Sequence, residues 1–218
     1  MDGRGINFEL LVVDDGSRDA TARVVADEAS RDPRIRLLRN DKNRGKGYSV
    51  RRGIGAASGD IILFSDADLS TPIEEFDRLV QHLETSDVVI ASRSLPDSNV
   101  VVHQPFYREY MGKMFNLFVR AALVRGIIDT QCGFKLMTRQ AADAILQFMR
   151  IDSFSFDVEM ILIATRQGLR VNDVAVTWID SKGSRVHPIR DSAYMLLDLC
   201  RIKLYDLLGL YGKRIERE

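Results

Sequence analysis

Three short apolar runs along the chain each break off into polar, mostly charged residues. Phe8-Glu9-Leu10-Leu11-Val12-Val13 runs into Asp14-Asp15-Gly16-Ser17, Ile61-Ile62-Leu63-Phe64 into Ser65-Asp66-Ala67-Asp68, and Val88-Val89-Ile90-Ala91 into Ser92-Arg93. Near-continuous apolar runs of this length read as strands covered on both faces, as in a parallel sheet. Ile35-Arg36-Leu37-Leu38 reads as a further strand with one more exposed face. Between the strands, residues 19–30 carry Ala22, Val25, Ala26 and Ala29 at helical spacing. Thr71-Pro72 followed by Glu74 and Glu75 predicts a helix with proline at its first position and acids in its first turn. This alternation predicts an α/β domain of βαβ units, a mostly parallel central sheet flanked by helices. No repeat or linker divides it, so residues 1–218 read as one domain, with 8–100 and 101–218 as its halves.

The second half is patterned differently. Over Gln104 to Gly126, at about 100° per residue, Arg108, Glu109, Lys113, Asn116 and Arg120 share a narrow polar face. Phe106, Tyr110, Met111, Met114, Phe115, Leu117, Phe118 and Val124 fill most of the rest. Two readings remain open, a helix packed on the sheet and an aromatic, cationic helix lying in a membrane surface. Tyr194 to Leu210 is a second amphipathic stretch with the same two readings.

Composition narrows the classes. Hydrophobic residues make up 45% of the 218 positions, enough for a sizeable core. Lys plus Arg and Asp plus Glu each total 31, so there is no basic field and nucleic acid is not an expected partner. The two cysteines, Cys132 and Cys200, make neither a disulfide framework nor a metal motif and suit a reducing compartment. No apolar run approaches the roughly 20 residues that span a bilayer. The polar, Gly-rich Met1 to Asn7 does not read as a signal peptide.

In open α/β sheets, polar groups at the carboxyl ends of strands converge on one crevice. Asp14, Asp15, Asp66, Asp68 and Arg93 all fall there. The sharpest signal is Asp66-Ala67-Asp68 directly after a buried strand. Carboxylates repel a nucleoside diphosphate unless a divalent cation lies between, and Mg²⁺ or Mn²⁺ takes carboxylate and phosphate oxygens together. Asp66 and Asp68 are the expected ligands; a solvated turn with capping acids would give the same pattern. Asp14-Asp15-Gly16-Ser17 can accept hydrogen bonds from a base or ribose, or simply turn the strand into a helix capped by Ser17 or Asp19. Asn43-Arg44-Gly45-Lys46-Gly47 is a Gly-rich basic loop suited to close backbone approach to an anion.

These segments, with Asp129-Thr130-Gln131-Cys132-Gly133-Phe134-Lys135 after them, stand in an order that resembles family 2 glycosyltransferases. The likeness points to the branch that transfers glucose or mannose to dolichyl phosphate. The stretch Asp129 to Lys135, then Phe156-Asp157-Val158-Glu159 and Gly183-Ser184-Arg185, is most similar to the glucosyl members. It implies a GT-A fold, a divalent cation (Mg²⁺ or Mn²⁺), and inverting hexosyl transfer from UDP-glucose to a polyprenyl phosphate, with GDP-mannose as the alternative donor. It also implies peripheral attachment at the cytoplasmic face of a membrane. Asp14, Asp15, Gly16, Ser17, Lys46, Gly47, Asp66, Ala67 and Asp68 then hold the nucleotide sugar. A phosphomonoester is largely ionised at neutral pH, its second pKa being about 6. Such an acceptor needs cations that position it more than a strong base. Arg93, Lys135 and Arg185 are the candidates, joining Asp66 and Asp68 in the catalytic set. Asp157 and Glu159 are weaker candidates that could equally serve a helix dipole.

Two departures accompany the resemblance. Family members begin with a central strand ending in a Pro-x-x-Asn-Glu-like turn, whereas only Met1 to Asn7 precede the first strand here. A fragment, a start lying upstream and a rearranged fold would each produce this. The position two after Asp68 is Ser70, where mannosyl members often carry Gln. Two rival classes share part of the pattern. A non-catalytic nucleotide-binding module would keep the strand ends without turnover. A haloacid-dehalogenase-type phosphotransferase also places Asp-x-Asp after a strand, but normally on the first one.

Overall fold

A computed structural model describes residues 5–102, 115, 119, 123–124, 126–180 and 188–212. The elements run β1 (Leu10–Asp14), α1 (Thr21–Arg31), β2 (Ile35–Arg39), α2 (Lys46–Ala56), β3 (Ile61–Ser65), α3 (Phe76–Gln81), β4 (Val88–Ser92) and β5 (Asn99–Val102). They continue with β6 (Phe134–Thr138), α4 (Arg139–Leu146), α5 (Phe156–Arg166), β7 (Val171–Ala175), β8 (Thr177–Ile179) and α6 (Pro188–Leu207). The proline-led helix start takes the form of a 3₁₀ turn, Ile73–Glu75, with Pro72 at its N-cap and α3 following.

The mostly parallel strand arrangement expected is present, in three pieces and with one antiparallel strand. β1 and β2 form a parallel pair. A four-stranded sheet in the order β3-β6-β4-β7 holds the centre, with β6 antiparallel to both neighbours and β7 parallel to β4. β5 and β8 make a small parallel pair. Every residue of β4 is buried, and its side chains alternate with the period of two that a strand imposes. Val88 and Ile90 join Met137 and the inner faces of α2, α4, α5 and α6, while Val89 and Ala91 join Phe134, Leu136 and α3. Helices thus cover both faces, and one apolar cluster draws on both halves of the chain. Of the Gln104 to Gly126 stretch, Phe115, Val119 and Val124 pack into that cluster, which favours the packed-helix reading for those residues.

β1 and β3 are less covered than their apolar sequences predict: Leu10 is 48% and Ile61 44% exposed. Each is hydrogen-bonded to a described strand on one edge only. Helix α2 spans the two pieces. A Cβ on its Gly53 would stand 3.1 Å from Val13 of β1, and its Ile54 shares a cluster with Ile62 of β3.

The buried helix α5 carries a second organising feature. Glu159 accepts from the Arg150 and Ile151 amides, with closest approaches of 3.0 and 2.8 Å, and from the Tyr211 hydroxyl at 2.8 Å. Burial pushes its carboxyl above the usual range, and these donors oppose that. The C-terminal turn is fastened further by Arg166 to Asp206, 2.6 Å, and by Gln167 Nε2 donating to the Tyr211 carbonyl, 2.6 Å. Among the described residues no helix is long and apolar enough to cross a membrane.

In native-state hydrogen exchange the amides of β4 and β6 should outlast those of β1 and β3, because the latter pair on one edge only. Equal protection would mean that the sheet is continuous in solution. Tyr211→Phe should cost about 1–2 kcal/mol in urea unfolding, since it removes a donor from a buried carboxylate. An unchanged midpoint would show that the hydroxyl is solvated instead.

Candidate active site

The site begins where β1 ends. Asp14 is buried; its Oδ1 accepts from the Ser17 amide at 2.9 Å, and Arg39 Nε stands 3.2 Å from its Oδ2. Gly16 turns the chain at φ 74°, and a Cβ there would fall 2.5 Å from the Lys42 carbonyl carbon. Only glycine satisfies both demands. A cleft of about 480 Å³ lies between the Gly16–Asp19 turn and Arg39, Asp41, Lys42 and Asn43. That is within the range of small-molecule sites, roughly 300–1,000 Å³.

Asp15 is differently occupied. It accepts from the Arg44 amide at 2.7 Å, the Gly45 amide at 2.9 Å and Asn40 Nδ2 at 2.8 Å. Those three donors make Asp15 a tie that shapes the basic loop, and they leave one side of its Oδ2 open to a further donor.

The loop then enters α2 under tight backbone contact. A Cβ at Gly45, φ 101°, would lie 2.3 Å from the Asp152 carbonyl oxygen, and one at Gly47 2.3 Å from that of Ile151. The Gly47 amide donates to Asp152 O at 2.8 Å. Between these glycines Lys46 reaches across to β3, its Nζ 2.7 Å from Asp66 Oδ1 and 2.9 Å from Oδ2. The ammonium lies 5.7 and 5.8 Å from the ring centroids of Phe64 and Phe156, which pack edge to face. Burial alone would lower the Lys46 pKa, but Asp157 and Asp66 outweigh it and hold it above the ordinary lysine value.

Asp66-Ala67-Asp68 forms a turn after β3. The Asp66 amide donates to Gly133 O at 2.8 Å, and Asp68 Oδ1 accepts from the Ser70 amide at 3.1 Å. Leu69 follows at φ 50°, a left-handed conformation that costs a branched residue free energy and collects at functional sites. Gly133 is what admits Asp66: a Cβ at 133 would stand 2.0 Å from Asp66 Oδ2. Asp66 and Asp68 offer hard carboxylate oxygens at one strand end with space kept clear, a donor set that fits Mg²⁺ or Mn²⁺ completed by phosphate oxygens. Among the described residues no cluster of three or more acidic, His or Cys ligands adds to them.

The expected acceptor cations separate. Lys135, on β6 opposite Phe64 and Ile90, is fully buried. Its ammonium donates to Cys132 O at 2.7 Å and pairs with Asp157, so it lies under the crevice and is closed to a substrate. Burial pushes the Asp157 carboxyl up, against the pull of Lys135 and Lys46. Arg93 leaves the end of β4 with a side chain 27% exposed and forks onto buried Asp129, Nε to Oδ2 at 2.7 Å and Nη2 to Oδ1 at 2.9 Å. Its guanidinium carbon sits 5.4 Å from the Trp178 ring. Burial would raise Asp129, but Arg93 holds it below the usual carboxylate range. Arg185 lies outside the described residues, as does most of the Gln104 to Gly126 stretch.

Asp14, Gly16, Ser17, Lys46, Gly47, Asp66, Ala67 and Asp68 therefore belong to one connected edge. The need for Gly133 and the two-ring seat of Lys46 were not read from the sequence. Gly133 stood inside a quoted motif, but a glycine's need shows only when its neighbour is seen to touch it.

Gly133→Ala should displace Asp66 and weaken divalent-cation binding by roughly tenfold or more, the loss expected of a misplaced charged ligand. Calorimetry with Mn²⁺ and UDP checks this, and an unchanged affinity would mean that Asp66 relocates freely. Cys132, whose thiol burial and Asp129 push up to about 11, should resist alkylation at pH 8 while exposed Cys200 reacts. Mass spectrometry should find one label on the native chain and two in denaturant.

Comparison with known proteins follows the same lines. Residues 4–146 match the model of glycosyl transferase family 2. The chain is 38% identical over 213 residues to the dolichyl-phosphate beta-glucosyltransferase of Dictyostelium discoideum, covering 94% of this chain and 65% of that protein. To the Mus musculus protein of the same name it is 33% identical over 220 residues, covering 97% and 68%. The chain thus spans just under two thirds of the Dictyostelium relative. Among solved structures, glucosyl-3-phosphoglycerate synthase from Mycobacterium tuberculosis, crystallised with Mn²⁺, UDP-glucose and phosphoglyceric acid, superposes with a TM-score of 0.63 at 20% identity. That match covers 90% of this chain and 67% of the other. The likeness shows the GT-A fold expected from the sequence. By its sequence match over residues 4–146 and its likeness to these relatives, the chain belongs to glycosyl transferase family 2.

Proposed function

We propose that this chain transfers glucose from UDP-glucose to dolichyl phosphate, with inversion, at the cytoplasmic face of a membrane. The observation that carries the reading is the Asp66-Ala67-Asp68 turn, cleared by Gly133, charge-matched by Lys46 and joined through the 43–47 loop to the cleft beside β1. The names of the relatives support the glucosyl and dolichyl-phosphate assignment, and the structural neighbour crystallised with Mn²⁺ and UDP-glucose supports the cation and the donor.

The cleft at Gly16 and Ser17, lined also by Arg39, would hold the nucleoside, and Lys46 would face the diphosphate. Asp66 and Asp68 would hold a divalent cation, which would supply the Lewis acidity that steadies the leaving group. The acceptor phosphate is already anionic, so the protein's task is to hold its oxygen in line with the sugar carbon. Arg93, its fork fixed by Asp129 and one side still open, is suited to that; Arg185 is a second candidate. Lys135 acts at one remove, by fixing Asp157 beneath Lys46. Helix α6 turns Tyr194, Leu196, Leu197, Leu204 and Leu207 outward, and Leu208 just beyond it is exposed too, an apolar face that supports lipid contact.

Transfer of labelled glucose to dolichyl phosphate in liposomes should be detected with UDP-glucose and Mn²⁺ and fall to background in EDTA or in Asp68→Ala. Turnover with GDP-mannose alone would replace the donor; equal UDP affinity in EDTA would remove the cation. Arg93→Ala should lower lipid transfer by roughly ten- to a hundredfold, the cost of a charged hydrogen bond made in the transition state. Leu204→Glu with Leu207→Glu should reduce liposome flotation while leaving UDP binding intact. Unchanged flotation would take α6 out of the membrane contact.

A further inference from the structure

Lys46 stands against Asp66 where a bound cation would stand. Its Nζ engages both carboxylate oxygens, 2.7 and 2.9 Å away, rather than one. The backbone that carries it has no room to retreat, because Gly45 and Gly47 are pressed on the Asp152 and Ile151 carbonyls. The side chain alone can leave Asp66. The surroundings limit where it can go: Phe64 and Phe156 flank the ammonium, and Asp157, which also attracts it, is already paired with Lys135. Asp68, more exposed, accepts from the Ser70 amide and adds its charge to the field that holds Lys46.

A divalent cation arriving alone would therefore meet a carboxylate already neutralised. It would have to displace an ammonium in contact with Asp66 and drawn to the same edge by Asp157 and Asp68, and the two cations would repel at close range. A nucleoside diphosphate reverses both terms. Its oxygens can accept the ammonium, and its charge completes the coordination of a cation on Asp66 and Asp68.

Resting on the nucleotide-sugar reading above, we propose that Lys46 is a built-in counter-ion that keeps Asp66 closed to free divalent cations and hands it over when a nucleoside diphosphate arrives. Cation and nucleotide then bind as one unit, and each strengthens the other by the same factor. The free chain is thereby protected from taking up a divalent cation it cannot use.

The test compares the full chain with Lys46→Met and Asp66→Asn, following Mn²⁺ by electron paramagnetic resonance and UDP by calorimetry. Wild type should take up little Mn²⁺ until UDP is added. Lys46→Met should bind Mn²⁺ without UDP roughly tenfold more tightly or better, as removal of a charge-assisted competitor implies, and its UDP affinity should depend less on Mn²⁺. Asp66→Asn should lose Mn²⁺ uptake in both conditions. Lys46→Gln, with a thermal melt, serves the same comparison should the methionine variant fold poorly. If neither Lys46 variant gains affinity for Mn²⁺ alone while wild type still binds Mn²⁺ and UDP together, the counter-ion role is overturned and the functional reading stands. If wild type binds no UDP even with Mn²⁺, both are overturned.

Discussion

Crowding of like charge at one edge of the molecule is the constraint to which the structure answers. Asp14, Asp66, Asp129 and Asp157 gather at or near the ends of strands and the start of α5, where partial burial makes unmatched carboxylates costly. Each is met by a particular cation: Asp14 by Arg39, Asp66 by Lys46, Asp157 by Lys135 and Asp129 by Arg93. Asp15 is held by backbone amides and Asn40 instead. Asp68, more exposed, is bonded to the Ser70 amide and adds to the charge that holds Lys46. The pairs are unequal in kind. Lys135–Asp157 is sealed, so removing one partner would strand a charge, which makes it part of the scaffold, whereas in Arg93–Asp129 only the carboxylate is fully buried and the guanidinium keeps one side open. Lys46–Asp66 is half-exposed and can be exchanged for other partners, which makes it a working contact.

Such exchange needs a rigid frame, and backbone contact supplies it. The loop 43–47 is held by Asp15 on one side and by the Ile151 and Asp152 carbonyls on the other. That carbonyl segment is itself held by Glu159, whose remaining donor is Tyr211 near the C-terminal end of the described chain. A line of contacts thus runs from the turn after α6, through the buried helix α5, to the lysine facing Asp66. Serine 153 adds a further tie, donating to Asp198 of α6. The apolar outer face of α6 and the polar site are attached to the same short segment of chain.

Much of the architecture was legible along the chain, because period and burial leave their mark on composition. The alternation of apolar runs with helical spacing placed β1 to β4 and α1 within a few residues. The carboxylates after β1 and β3 and the arginine after β4 follow from the rule that such sheets present ligands at strand ends. The antiparallel β6 escaped, since Phe134-Lys135-Leu136-Met137 reads as a short mixed run and nothing local states its direction. So did the partial exposure of β1 and β3, which depends on strand neighbours rather than on their own residues.

The sequence by itself determined the fold class, the family and the set of charged residues that meet at one edge, because these follow from local pattern and from residue identity. Only the tertiary structure decided which charge answers which. Lys135 and Lys46 are both lysines in quoted motifs, yet one is sealed beneath the crevice against Asp157 and the other stands half-open on Asp66. Asp14 and Asp15 are neighbours of one kind, yet one is buried against Arg39 and the Ser17 amide and the other holds a loop. Gly133 carries no side chain from which a role could be read; its function is the volume it leaves to a carboxylate 67 positions earlier in the chain. Pairing and clearance are properties of distances between residues remote in sequence, and folding alone sets those distances.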